Sequence, residues 1–172
     1  MIRFIIAAAA LLALAPAALA GGKPETTATI NYAGFRALTG EVEAYRQTRL
    51  VPLDQFQAMG RQAGTLILDA RSADAYREGH IEGAVNLPFT DFTDASLAAA
   101  IGAPGRRVLI YCNNNFANNT RPVVMKRLEL ALNIQTFINL YGYGYRNVYE
   151  LGEVVDFNDP AVGWVRGAEP TE

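Results

Sequence analysis

The stretch RVLIYC, residues 107–112, ends in the single cysteine of this 172-residue chain. Its apolar side chains follow one another without alternation, which is typical of a strand buried on both faces of a parallel sheet. The segment NNNFANNT, residues 113–120, follows directly and has neither helical nor strand periodicity. We therefore expect Cys112 to lie where a central strand ends and a loop begins.

Segments on both sides of this stretch predict an alternation of strands and helices. Further strands are predicted at residues 65–68, 84–87 and 147–151. Helices are predicted within residues 41–46, 53–59, 73–77 and 96–101, with Ser72 and Gly102 as caps. Apolar residues return at helical spacing from Pro122 to Leu140, and the helix that leads to Gly144 is expected to start near Leu132. Such alternation predicts an α/β fold with a mainly parallel sheet.

Composition and charge limit the class of protein. The chain is 51% hydrophobic and 19% charged, as expected of a folded protein, and its length favours one domain. The formal net charge of −2 gives no basis for binding nucleic acid or an anionic membrane.

The N-terminus is typical of a secretory signal peptide. A positive start at Arg3 precedes an apolar run over residues 4–19 and a small-x-small site at residues 18–20. The run is shorter than the roughly 20 residues of a membrane-spanning helix. We expect a signal peptide at 1–20, an extension at 21–49 and the folded domain at 50–172. The mature protein would be periplasmic or secreted and free of the membrane.

A lone cysteine in an oxidising compartment is a buried inert residue, an intermolecular disulfide partner or a reactive thiol. At the end of a parallel strand, loop N–H groups and a following helix can stabilise a thiolate and lower its pKa. Asparagine tolerates the left-handed backbone that such a loop needs, and its amide can donate to an anion. Asn-rich loops are also common as plain polar surface, and the residues alone leave both interpretations open.

Five motifs resemble the rhodanese-like family, in the family's order. They are LILDAR at 66–71, GHIEGA at 79–84, VLIYC at 108–112, GYRNV at 144–148, and Trp164 with Gly167 and Pro170. The resemblance covers roughly residues 50–170. It implies a rhodanese-like three-layer α/β sandwich, in which helices flank a mainly parallel central sheet.

The resemblance also implies a sulfurtransferase. Cys112 matches the catalytic cysteine, which takes sulfane sulfur from a donor as a persulfide and passes it to a thiol or cyanide-like acceptor. The expected partner is a small sulfur-containing substrate or a thiol protein, with no cofactor and no metal. Residues expected to bind the substrate or its anion are Asn113, Asn114, Asn115, Phe116 and Arg121, the first cation after the cysteine. Asp69, Arg71 and His80 are expected to shape the pocket.

One departure from the family keeps other functions open. The loop after Cys112 is about fifteen residues longer than the usual active-site loop. The chain could therefore be a non-catalytic binding module, with Phe116 as a contact residue. A thiol redox partner that forms mixed disulfides is a third interpretation. A cysteine phosphatase is disfavoured, because its oxyanion-clamping arginine would stand where Asn118 does.

Overall fold

The computed structural model describes residues 29–166. The predicted signal peptide lies outside these residues, as do Gly167 and Pro170. The described chain from Asn31 onward forms one compact unit. Among the described helices, none combines the length and the hydropathy required to cross a membrane.

Residues 29–166 contain five α-helices and seven β-strands. The helices are α1 Tyr32–Gln47, α2 Leu53–Gly60, α3 Ala73–Glu78, α4 Asp94–Ile101 and α5 Leu132–Gly142. The strands are β1 Leu50–Val51, β2 Leu66–Asp69, β3 His80–Ile81, β4 Ala84–Asn86, β5 Val108–Tyr111, β6 Val148–Leu151 and β7 Trp164–Val165. The predicted caps are confirmed, since Ser72 accepts the Ala75 N–H and Gly102 ends α4.

The central sheet has five parallel strands in the order β1-β6-β5-β2-β4. All four residues of β5 are buried, as the continuous apolar run predicts. The neighbouring β2 is buried along its whole length as well. β5 therefore occupies the middle of the sheet, and Cys112 follows it at the carboxyl edge.

Alternation along the strands divides the apolar core into two halves. Val108 and Ile110 pack with side chains of α1, α4 and α5 on one face. Leu109 and Tyr111 pack on the other face with α2 and with the small antiparallel sheet formed by β3 and β7. These two helical layers around one sheet make the three-layer sandwich that the resemblance implied.

Two helix predictions differ from the structure. α1 spans Tyr32–Gln47, much more than residues 41–46, with Asn31 accepting the Gly34 N–H at its start. Only Val42 of this helix is buried, so its sequence has a weak apolar stripe. Conversely, residues 122–127 are not helical despite their apolar spacing, and only a 3₁₀ turn at Leu128–Leu130 precedes α5. Contacts from the asparagine side chains, described below, hold this segment in another conformation.

Gly79 lies against Trp164, and its replacement tests the packing of β3 on β7. A Cβ at residue 79 would overlap the Trp164 indole. We expect Gly79→Ala to lower the free energy of unfolding by about 1–3 kcal/mol, because the added methyl group would overpack the contact with Trp164. Gly40→Ala in α1 is the control, since a Cβ there has open space and alanine favours a helix. Urea denaturation measures both, and equal stability of Gly79→Ala and wild type would contradict the packing described.

Candidate functional site

Cys112 lines a cavity at the carboxyl edge of the sheet. The residue follows β5 directly and begins the 3₁₀ turn Asn113–Asn115. Its relative exposure is only 1%. The cavity has a volume of about 330 Å³, and its wall includes Leu128, Asn133 and Glu150. The thiol thus lies beside a partly open cavity but is itself almost entirely covered by protein.

Opposing effects act on the thiol, and their balance raises its pKa. Burial raises the pKa of Cys112 most, whereas the main-chain N–H groups of Asn133, Asn114 and Leu132 lower it as hydrogen-bond donors to the sulfur. The negative charge of Glu150 raises it further. Leu132 and Asn133 begin α5, so the sulfur faces the start of that helix. The expected N–H donors are present, but the expected lowering of the pKa was wrong, because desolvation outweighs them.

Asn115 connects the three elements that surround the thiol. Its Oδ1 accepts the Cys112 N–H at 2.9 Å and an N–H of the Asn133 side chain at 2.9 Å. Its Nδ2 donates to the carbonyl oxygens of Leu151 at 2.8 Å and Glu153 at 3.0 Å. The amide therefore joins the end of β5 to α5 and to the end of β6.

An ion pair between buried Glu150 and half-buried Arg46 continues this network toward α1. Glu150 of β6 is 3% exposed, and its Oε1 accepts from Asn133 Nδ2 at 3.1 Å. Arg46 of α1 donates to both of its oxygens, at 2.5 Å from Nε and 2.6 Å from Nη2. Both residues line the Cys112 cavity. Sequence reasoning missed this pair, although Glu150 stands out as the one charged residue within the buried β6 strand.

The side chains of Asn113 and Asn114 hold the long loop. Asn113 Nδ2 donates to the Val124 carbonyl at 2.9 Å, and Asn114 Nδ2 donates to the Lys126 carbonyl at 2.8 Å. Asn114 Oδ1 in turn accepts the Lys126 N–H at 3.1 Å. An anion-binding role for these residues therefore depends on main-chain N–H groups, since their amide groups donate to the loop.

Further along the loop, Asn119 adopts the left-handed backbone conformation expected of this residue type, with φ 43°. Its Oδ1 accepts the Met125 N–H at 3.0 Å. Asn118 Nδ2 donates to Asp156 at 2.6 Å, which ties the loop to the chain after β6. The asparagine side chains thus hold the loop against itself and against the chain after β6.

Phe116 and Arg121 lie away from the wall of the Cys112 cavity. Phe116 is fully buried, and its ring contacts Tyr111 and Trp164 edge to face. Arg121 is exposed and pairs with Glu78. The structure thus places Phe116 in the core and the Arg121 guanidinium at the surface.

The three predicted pocket-shaping residues lie close together: Asp69 and Arg71 form a buried ion pair, and His80 lies beside them in β3. Arg71 Nε donates to Asp69 Oδ1 at 2.9 Å, and its Nη2 donates to the Gly79 carbonyl at 2.7 Å. The Tyr111 hydroxyl donates to Asp69 at 2.6 Å. His80 stacks on Tyr76 with ring centroids 3.8 Å apart. These contacts fix the turn between β2 and α3 against β3.

A second cavity lies on the Arg71 side of the loop. Its volume is about 580 Å³, and its wall includes Arg71, Asn113, Lys126 and Leu132. Cys112 is not part of its described lining. Arg71 therefore shapes this neighbouring cavity, while Arg46 and Glu150 shape the cavity of the thiol.

Comparisons with known proteins agree with this architecture. A family profile described as Rhodanese-like domain matches residues 52–152, which include Cys112. The crystal structure of thiosulfate sulfurtransferase from Pseudomonas aeruginosa is 23% identical with a TM-score of 0.50, over 78% of this chain and 23% of that chain. The similarity to that structure shows a shared fold.

Two smaller solved structures also match, and no curated protein sequence does. A rhodanese-like domain from Anabaena sp. is 19% identical with a TM-score of 0.43, over 63% of this chain and 98% of that chain. A rhodanese from E. coli, solved with anions, is 21% identical with a TM-score of 0.40, over 60% of this chain and 99% of that chain.

Removal of the Asn115 amide tests its connecting role. We expect Asn115→Ala to lower the free energy of unfolding by about 2–4 kcal/mol, because it leaves buried donors and acceptors unpaired. The matched control is Asn139→Ala, whose side chain, among residues 29–166, makes a single hydrogen bond, to the Gln135 carbonyl within α5. Urea denaturation compares the two variants. A loss no larger than that of the control would show that Asn115 does not hold the site together.

The pH dependence of alkylation tests the environment of the thiol. The thiolate reacts and the thiol does not, so the rate of iodoacetamide modification follows ionisation. We expect a midpoint above the ordinary cysteine pKa of about 8.5. Glu150→Gln should lower the midpoint, because a negative charge beside the thiolate is removed. Stopped-flow or mass-spectrometric rates give both values, and a wild-type midpoint below the ordinary value would contradict the assigned environment.

Proposed function

Because the chain belongs to the rhodanese-like domain family, we propose that it is a sulfurtransferase that carries sulfane sulfur as a persulfide of Cys112. One observation supports this proposal above the others. The Cys112 sulfur sits at the end of β5 among the main-chain N–H groups of Asn114, Leu132 and Asn133. Such a ring of N–H groups suits a group whose outer atom carries negative charge.

The proposed reaction has two displacement steps. The Cys112 thiolate attacks the sulfane sulfur of the donor, whose S–S bond breaks as the remaining part leaves with the electron pair. A new S–S bond forms at Cys112, and the persulfide carries its negative charge on the outer sulfur. The nucleophilic acceptor, a thiolate or a cyanide-like anion, then takes that outer sulfur and regenerates the Cys112 thiolate.

The buried environment affects the two states of Cys112 differently. The raised pKa keeps most of the free thiol protonated near neutral pH. The N–H groups are fixed by β5 and α5 before any reaction, so they stabilise a negative sulfur without rearrangement. Asn115 holds the Cys112 main chain in place through the Cys112 N–H. The protein therefore positions the Cys112 sulfur and stabilises its negative charge, while the sulfur itself forms and breaks the bonds.

Export forms part of the proposal. The predicted signal peptide supports cleavage after Ala20 and a mature protein in the periplasm or outside the cell. The substrate would then be a sulfur compound or a thiol protein of that compartment.

A second candidate function is a binding module, and one observation favours it. Four apolar side chains on the long loop are well exposed: Val124, Met125, Leu128 and Leu130. Exposed apolar groups in one segment are typical of a contact surface. In that case the buried Cys112 would be a structural residue.

Intact mass spectrometry of the exported protein tests the proposed function. The reduced protein is incubated with a polysulfide and, separately, with thiosulfate. We expect a gain of one sulfur atom that cyanide removes, and no gain in Cys112→Ser. The same spectra should give a chain that starts at Gly21. Absence of sulfur uptake from both donors would favour the binding module over the enzyme, and a retained leader would contradict the export proposal.

A further inference from the structure

We propose that the Cys112 cavity selects sulfur donors that react in an uncharged form, such as the protonated hydropersulfides of uncharged thiols, over thiosulfate, and that Glu150 sets this preference. The inference rests on the proposed sulfur transfer and names its donor class. Its basis is the set of charges and hydrogen-bonding groups that the cavity presents. Nothing in the family assignment specifies this choice.

The charges of the described cavity wall do not favour an anion. The charged residues that line it are Arg46, Glu150 and Glu153. Arg46 is the single cation among them, and both of its hydrogen bonds go to Glu150 at 2.5 and 2.6 Å. The ion pair cancels its charge, and Glu153 leaves the wall with a net charge of −1. A sulfonate group would therefore meet a wall of net negative charge with no unpaired cation to bind it.

The side-chain donors of the wall are already engaged. The amide of Asn114 donates to Lys126, and that of Asn115 donates to Leu151 and Glu153. The amide of Asn133 donates to Asn115 and Glu150. Because two oxygens face the Asn133 nitrogen, its amide orientation is fixed by chemistry. Both N–H bonds of Asn115 and of Asn133 are thus used within the protein, and neither of these two amides is free to bind the oxygens of a sulfonate.

The wall instead offers an acceptor. Asn133 Oδ1 is buried and has no hydrogen-bond partner among residues 29–166, and Asn133 itself is 4% exposed. An unpaired buried acceptor is costly unless a ligand supplies a donor. The S–H group of a hydropersulfide is such a donor, whereas thiosulfate dianion has none.

The mouth of the cavity is apolar. Leu128 and Val154 line the cavity, and they are 72% and 63% exposed. Leu50 and Ile134 extend the apolar wall inward. An uncharged organic substituent of the donor could pack on these side chains, while its sulfane sulfur faces Cys112.

The proposed step balances without an oxidant. The Cys112 thiolate attacks the outer sulfur of R–S–S–H, and the S–S bond of the donor breaks. The electron pair leaves with R–S⁻, which takes the proton of the new hydropersulfide and departs as R–S–H. Cys112 then carries Cys–S–S⁻, so the sulfane sulfur changes partner and no net oxidation occurs.

Alkylation by a neutral and an anionic reagent of similar size tests the charge preference without sulfur chemistry. The rate of Cys112 modification by iodoacetamide is divided by the rate with iodoacetate, and free cysteine in the same buffer supplies the reference ratio. We expect the ratio for the wild-type protein to exceed the reference by about tenfold, since the wall repels a carboxylate. A ratio equal to or below that of free cysteine would overturn the proposal.

Two variants connect the preference to Glu150. Glu150→Gln keeps an acceptor for Asn133 and releases Arg46, and it should reduce the ratio by about tenfold. Arg46→Gln leaves Glu150 unpaired and should increase the ratio. Glu41→Gln, an exposed charge removed from the same helix as Arg46, should leave it unchanged. An unchanged ratio in folded Glu150→Gln, verified by circular dichroism, would show that Glu150 does not set the preference.

Sulfur donors complete the test. Loading rates with the hydropersulfide of 2-mercaptoethanol and with thiosulfate are measured by intact mass for the wild type and Glu150→Gln. The ratio of the two rates should shift toward thiosulfate by about tenfold in the variant. An unshifted ratio would overturn the donor preference. Loading from neither donor would overturn the proposed function, while the alkylation ratios would still report the charge preference.

Discussion

The hydrogen bonds of Asn115 hold together the elements that meet at the candidate site. One amide fixes the Cys112 main chain, the start of α5 through Asn133, and the end of β6 through Leu151. A parallel sheet orders its strands only up to their ends, and the chain beyond each end needs other contacts. A buried, fully paired side chain supplies them with fixed geometry, so the N–H groups around the sulfur are in place in the resting protein.

The same site shows how burial competes with local dipoles. The start of α5 favours a negative sulfur, whereas enclosure by protein and the neighbouring Glu150 disfavour it. Arg46 offsets the carboxylate from a helix that precedes the matched family region. The helix before the matched region therefore contributes to the cavity, because Arg46 compensates a charge beside the thiol that would otherwise be costly.

The long loop after Cys112 is organised by side chains and not by a helix. Asn113, Asn114 and Asn119 each bond to the main chain several residues further on. Asparagine competes in this way with helical hydrogen bonds, which explains why apolar spacing from Pro122 onward was a poor guide to conformation. The prediction of α5 itself was correct. Its apolar residues recur at helical spacing from Leu132 onward, and glycines mark its end.

The sequence by itself determined four of the five strands of the central sheet, their parallel arrangement and the position of Cys112 at the sheet edge, because continuous apolar runs are local signals. The family motifs added the three-layer arrangement. Only the tertiary structure decided the pKa direction of Cys112, the burial of Phe116, the pairing of Arg121 with Glu78, and the Arg46–Glu150 pair. Burial and ion pairing join residues that are distant in the chain, and no local pattern encodes which distant groups will meet.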